Sequence, residues 1–273
     1  MKEIGLEERK KILLDMMKEV DSFCRGHNLT YYLAFGTLIG AVRHKGYIPW
    51  DDDVDIMMPR KDYEELEKIF PVDGIYRFLT SNNTKNYPYS YGKIIDVRTV
   101  KNEAIRSKYQ VIGLDIDVFP IDNYPDDIKE AKEWCESIAK TQRVMYGLLE
   151  EHAKGRNLQR TIARNVLISF LYFLDDCRIM SVNKCVKKLE ALSKNYNNNI
   201  TNYCGIAAIA TYGVRKRNRK EVFESPVEVE FEGEHFYAPK GYDEYLRDIY
   251  GDYMQLPPIE KRLTHHTNRA YWK

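Results

Sequence analysis

Four aspartates fall within five positions in Asp51-Asp52-Asp53-Val54-Asp55, directly after Pro49-Trp50 and directly before Ile56-Met57-Met58. Carboxylates packed this closely repel one another, so a fold that gathers them must bring a cation to them. Asp53 and Asp55 are two residues apart, which on a strand puts both on one face with Val54 on the other. The apolar residues on either side make the acidic run the entrance to a buried strand rather than part of a polar linker. A second alternation, Ile112-Gly113-Leu114-Asp115-Ile116-Asp117-Val118-Phe119, places Asp115 and Asp117 on one face of a later strand. Asp53 and Asp55 with Asp117 as a third acid suit Mg²⁺ or Mn²⁺ beside a phosphate, and Asp117 is also a candidate base for an attacking hydroxyl. Asp51 and Asp52 are expected to shape the loop. Gly36-Thr37 offers a turn free of bulk at a helix start, where backbone N–H groups can meet a phosphate.

The elements that must hold these groups follow from periodicity. Leu13, Met16, Met17, Val20, Phe23 and Cys24 recur at helical spacing, so residues 6–25 read as an amphipathic helix ending near Gly26. Residues 30–35 read as a strand and 38–44 as a short helix, followed by the acidic strand and a helix from Pro59 through Phe70. Strands are expected at 75–79, 91–97 and 112–119, and helices from Pro125 to about Lys194, broken around 155–157 and 175–178. The tail should hold a strand at 203–210, a hairpin around Glu232-Gly233-Glu234 and a helix over 242–250. The expected architecture is α+β: a mixed-sheet core flanked by helices over 1–124, a helical insertion over 125–200, and a mixed C-terminal segment over 201–273 that packs back and completes the site.

Composition narrows the partners. The chain has 273 residues, 44% of them apolar, which suffices for a substantial core. Its 42 Lys and Arg nearly cancel 41 Asp and Glu, which argues against a nucleic-acid polymer. Five scattered cysteines with no C-x-x-C pair argue against a disulfide framework or a zinc site and suit a reducing compartment. No apolar run approaches a membrane span, and the N-terminus does not read as a signal peptide, so a cytoplasmic protein is expected, with at most peripheral contact at the inner face of a membrane. Val166–Leu174 is the most apolar stretch. Without a clear basic face beside it, it reads as a buried helix in preference to a shallow membrane contact.

The run Gly36-Thr37-Leu38-Ile39-Gly40-Ala41-Val42-Arg43-His44-Lys45-Gly46-Tyr47-Ile48-Pro49-Trp50-Asp51-Asp52-Asp53-Val54-Asp55-Ile56 resembles the signature of the LicD family, bacterial phosphocholine transferases with a nucleotidyltransferase-like fold. Tyr91-Gly92-Lys93-Ile94, Ile116-Asp117-Val118-Phe119-Pro120-Ile121-Asp122 and Tyr250-Gly251-Asp252-Tyr253-Met254-Gln255-Leu256-Pro257-Pro258 extend the likeness. It implies transfer of a phosphoalcohol, commonly phosphocholine from CDP-choline, to a sugar hydroxyl of a surface glycan or its lipid-linked precursor; fukutin-type proteins, which share the signature, move ribitol phosphate. By position, Gly36 and Thr37 match the nucleotide-fold turn, Asp53 and Asp55 the metal pair and Asp117 the third carboxylate. The interval from turn to acids is longer than in simple nucleotidyltransferases, because Arg43 through Trp50 intervene.

Other residues are candidates for the substrate. Arg43 and Lys45, between turn and acids, suit the charge of a diphosphate donor, and Lys93 on its strand suits a phosphate. A quaternary ammonium is recognised by aromatic faces, for which the clusters Tyr87/Tyr89/Tyr91 and Tyr250/Tyr253 are candidates. Arg262 and His265, three apart beyond the Pro-Pro break, are candidate phosphate contacts. Nucleotide transfer, transfer of ethanolamine, glycerol or ribitol phosphate, and a non-catalytic scaffold are the alternatives, and motif spacing does not separate them.

Overall fold

The computed structural model describes residues 1–101, 105–109, 111, 113–150, 158–177, 179–262 and 269–273. A short strand, β1 (Glu3–Ile4), precedes α1 (Leu6–Gly26), which buries Leu13, Met16, Met17, Val20 and Cys24 and turns its charged side outward, as the helical spacing requires. The strand expected at 30–35 is only β2 (Tyr32–Leu33). It stops because Phe35 takes a left-handed conformation (φ 44°) and starts α2 (Phe35–Ile39), which runs into a wider π-helical turn over Gly40–His44. β3 (Asp55–Pro59), α3 (Arg60–Ile69), β4 (Tyr76–Leu79), β5 (Gly92–Asp96) and β6 (Thr99–Lys101) follow, then β7 (Leu114–Tyr124), longer than its alternation suggested.

Helices α4 (Ile128–Leu149), α5 (Leu158–Asp176) and α6 (Val182–Ser193) fill the expected helical stretch. Asp127 caps α4 by accepting from the Glu130 N–H, and Ser181 caps α6 by accepting from the Lys184 N–H. The break expected at 155–157 lies outside the described residues. The chain ends in β8 (Tyr203–Ile206), β9 (Asn218–Arg219), the hairpin β10 (Pro226–Phe231) and β11 (Glu234–Pro239), α7 (Tyr242–Tyr250) and β12 (Ala270–Trp272).

β7 organises the main sheet, whose order is β2-β3-β7-β5-β4. β3 runs parallel to it along one edge; β5 and then β8 pair antiparallel along the other, so the sheet is mixed. Ile56, Ile94, Ile116 and Val118, on the side away from the acids, are fully buried. Each such side chain stabilises the fold by about 1.5–3 kcal/mol, which offsets the cost of gathering carboxylates on the other face. A second apolar cluster joins Tyr124 of β7 to Trp134, Ile138 and Met145 of α4 and Val186 and Leu189 of α6. A separate sheet of order β1-β12-β6 ties the two chain ends to the strand after β5. Nothing local in the sequence announced it.

Lys216, between β8 and β9, is fully buried and donates to the Ile209 carbonyl. Burial lowers its ammonium from 10.5 to about 7, against a small opposing pull from Cys135. The folded chain therefore binds fewer protons at this site than the unfolded chain between those values, so this group makes stability rise with pH through that window. In denaturant melts from pH 7 to 10, Lys216→Met is expected to lack that rise relative to the wild type.

Candidate functional site

Sheet register builds the site. Asp55 on β3 pairs with Asp117 on β7, which pairs with Lys93 on β5. Three neighbouring strands thus present carboxylate, carboxylate and ammonium in one row. Asp115, two residues before Asp117, shares that face. Lys93, itself buried, donates to Asp117 Oδ1 at 2.6 Å and to Asp115, which also pairs with Lys101.

The charges divide unevenly along the row. Burial opposes ionisation of Asp115, yet Lys101 and Lys93 hold its carboxyl well below the usual range. Burial also opposes the charge on Lys93, but Asp115 and Asp117 outweigh it and hold the ammonium firmly protonated. Asp117 moves the other way, up to about 6, because burial and Asp115 exceed the pull of Lys93. Asp55 is pushed well above the usual carboxylate range by burial, then by Asp53, Asp117 and Asp51. The upward shifts of Asp55 and Asp117 mark the crowding of acids at this end of the row, where Asp53, Asp55 and Asp117 remain partly accessible.

Two clefts meet there, sharing Asp53 and Asp117. The larger, about 440 Å³, has Asp51, Asp53, Asp55 and Asp117 at its base and walls of Phe35, Trp50, Phe119, Tyr212 and Tyr250. No Lys, Arg or His is among the described residues lining it. The smaller, about 160 Å³, is bounded by Arg9, Lys93, Lys101, Tyr89 and Tyr91 together with Asp52 and Asp115. Among the described residues no three acidic, imidazole or thiol side chains already form a closed metal cluster. Asp53 and Asp55, with Asp51 and Asp117 lining the same larger cleft, are the residues that could hold a divalent ion.

The other expected residues separate by place. Thr37 is buried and its Oγ1 accepts from the Asp55 N–H at 2.9 Å, so it aims the strand rather than facing a ligand. Gly36 lines the larger cleft, and a Cβ there would stand 2.7 Å from Asp51 Oδ2. Arg43 donates to the Tyr253 carbonyl at 2.5 Å, fastening the tail to the turn. Lys45 is exposed at φ 59°; its carbonyl accepts from the Glu232 N–H at 2.8 Å, and it lines neither cleft. Tyr89 and Tyr91 line the smaller cleft beneath Lys93, whose Nζ lies 4.8 Å from the Tyr89 ring centre. Arg262 lies 5.7 Å from the Trp50 ring centre, beside the aromatic wall. His265 is outside the described residues.

Asp51 lines the cleft instead of only shaping the loop, whereas Asp52 is buried against Arg9 and does shape it. Sequence reasoning missed Lys101, Arg9 and the walls Phe35, Trp50, Phe119 and Tyr212. For Arg9 there was a signal, a charge on the buried side of an amphipathic helix. Tyr250 was a candidate aromatic and does line the wall, bonded to the Tyr212 hydroxyl at 3.2 Å; Tyr253 instead donates to Asp243.

A mixed sheet with carboxylates at the start of β3 and within β7, a glycine turn before them and an adjoining cleft defines a nucleotidyltransferase-type site. Residues 28–146 match the family model described as LicD/FKTN/FKRP, nucleotidyltransferase domain. The chain is similar to the lipopolysaccharide cholinephosphotransferase LicD of Haemophilus influenzae, with 29% identity over 99% of both chains. It is also similar to an uncharacterized protein of Rickettsia prowazekii, 32% identical over 41% of this chain and 46% of that protein.

Removing charges from the row should have opposite effects on metal-free stability. Lys93→Met leaves Asp115 and Asp117 without their buried partner and should cost about 3–5 kcal/mol. Asp55→Asn relieves repulsion and should raise the melting temperature in chelator. Thermal melts of both variants with EDTA check the pair.

Proposed function

We propose that the protein is a Mg²⁺- or Mn²⁺-dependent phosphotransferase that moves phosphocholine from CDP-choline to a sugar hydroxyl of a cell-surface glycan precursor, of teichoic acid or lipopolysaccharide type, releasing CMP. The observation that carries the reading is the larger cleft, which aromatic side chains and four carboxylates line together. Aromatic faces suit a quaternary ammonium, and carboxylates suit the ion that accompanies a diphosphate. The full-length similarity to a lipopolysaccharide cholinephosphotransferase supports choline over ethanolamine, glycerol or ribitol.

The ion, bound by Asp53 and Asp55 with Asp117 completing the set, would neutralise charge on the donor's phosphate oxygens. The chain's own groups do the positioning. Thr37 fixes the Asp55 backbone, Lys93 holds Asp117, and Trp50, Tyr212 and Tyr250 confine the donor against water. The acceptor hydroxyl attacks the phosphorus that bears choline; the new O–P bond forms as the bond to the CMP oxygen breaks, and the hydroxyl proton passes to a carboxylate of the cluster. Alignment of the two oxygens is most of the catalysis.

Incubation with Mg²⁺, a glycan acceptor and CDP-choline labelled in both halves tests the assignment. Choline label should join the acceptor while cytidine is recovered as CMP; cytidine in the product would establish nucleotide transfer instead. Asp53→Asn and Asp55→Asn should each lower turnover about a thousandfold, the scale seen when a group stabilising transition-state charge is lost.

The aromatic wall gives a separate expectation. Tyr250→Ala and Trp50→Ala should each raise KM for CDP-choline by about tenfold or more, the size of a desolvated cation–π contact, and change KM for CDP-glycerol little. Equal losses for both donors in steady-state kinetics would remove the wall from ammonium recognition.

A further inference from the structure

Helix α5 carries apolar residues on two sides. Its polar anchors face the protein: Asp175 is buried, accepts from Arg106 at 2.6 Å and from the Tyr109 hydroxyl at 2.7 Å, and Arg106 stacks 3.7 Å from the Tyr172 ring centre. Ile168 is buried and Leu171 packs on the α4–α6 cluster, but a second set of apolar residues faces outward. Ile162, Val166, Phe170 and Phe173, at successive spacings of four, four and three, form one stripe, and they are 54, 65, 55 and 58% exposed. Leu167 widens the stripe, and Ile179 and Met180, just past the helix, are exposed as well. The buried helix expected over Val166–Leu174 is therefore corrected: only Ile168 of that run is deeply buried. A continuous apolar face of this kind marks a surface that something covers.

Charge identifies the cover. Residues 128–193, from the start of α4 to the end of α6, carry twelve Lys and Arg against eight Asp and Glu, a net +4 in a chain whose net charge is +1. Asp175 and Asp176, two of those eight acids, are bonded to Arg106 and Lys108. Lys184, Lys187 and Lys188 fall on the exposed side of α6, the helix that follows. An apolar stripe within a cationic segment complements an anionic lipid surface, where aromatic side chains enter the acyl boundary and lysines meet the headgroups. A second copy is a poorer fit, because face-to-face pairing would press two segments of like charge, +4 each, together. We propose that α5 is the docking surface for an anionic bilayer, lying in the plane of the interface; among the described residues no helix is long and apolar enough to span one. This inference stands apart from the choice of donor.

Co-sedimentation of the full chain with vesicles tests it, using phosphatidylcholine alone and phosphatidylcholine mixed with phosphatidylglycerol. The protein should pellet with the anionic vesicles, more weakly at high salt and weakly with neutral ones. The double variant Phe170→Ser/Phe173→Ser should partition roughly tenfold or more less well, and Lys187→Gln and Lys188→Gln about fivefold less each. The substituted side chains are exposed, so thermal melts should show every variant folded. Failure to pellet with either composition, or pelleting indifferent to the phenylalanine pair, overturns the proposal. A concentration-dependent dimer that the phenylalanine variant abolishes, without vesicle binding, would assign the face to a second copy.

Discussion

The balance of charge along Asp55, Asp117 and Lys93 is the constraint on which the rest of the structure depends. Two carboxylates and an ammonium on three adjacent strands are held in line by backbone register, which no side-chain motion can undo. Lys93 lies between two demands, its bonds to Asp115 and Asp117, and it satisfies both only because it is buried. Lys101 takes part of the load at Asp115. The row thus has two ammonium groups at one end and a crowd of carboxylates at the other. That crowding favours a cation at the mouth where the two clefts meet.

Supporting elements serve this row. The fully buried apolar residues on the opposite face of β3, β5 and β7 offset the repulsion. Arg9 from α1 neutralises Asp52, so the acidic loop is steadied from a helix more than forty residues away in sequence. Arg43 fastens the tail over the turn through the Tyr253 carbonyl, and Lys216 and the Ser90 hydroxyl hold the strand-to-turn segment whose Ile209 and Tyr212 wall the larger cleft. The long interval between turn and acids is therefore occupied by contacts to the C-terminal segment.

What could be read beforehand was local. Alternation placed Asp115 and Asp117 on one strand face, the spacing in α1 gave its buried side, and the run from Gly36 to Ile56 carried the family likeness; the strand expected to hold both Asp53 and Asp55 begins only at Asp55, so Asp53 stands in the loop before it. What escaped depends on pairing across the chain. That Lys93 and Asp55 flank Asp117 follows from strand order, and the β1-β12-β6 sheet joins residues 3–4 to 270–272. Lys45 shows the limit of proximity in sequence: a residue ten positions before Asp55 points to solvent because a left-handed turn sends the chain toward the β10–β11 hairpin. α5 shows the limit of hydropathy, since an apolar run does not reveal which way it faces.

Calorimetric titration of Mg²⁺ into the protein, with and without CDP-choline, is the most direct test of the carboxylate-crowded end. Saturable binding that tightens when the donor is present and disappears in Asp55→Asn is the predicted result. No binding heat in either condition, or undiminished binding in that variant, would contradict the account.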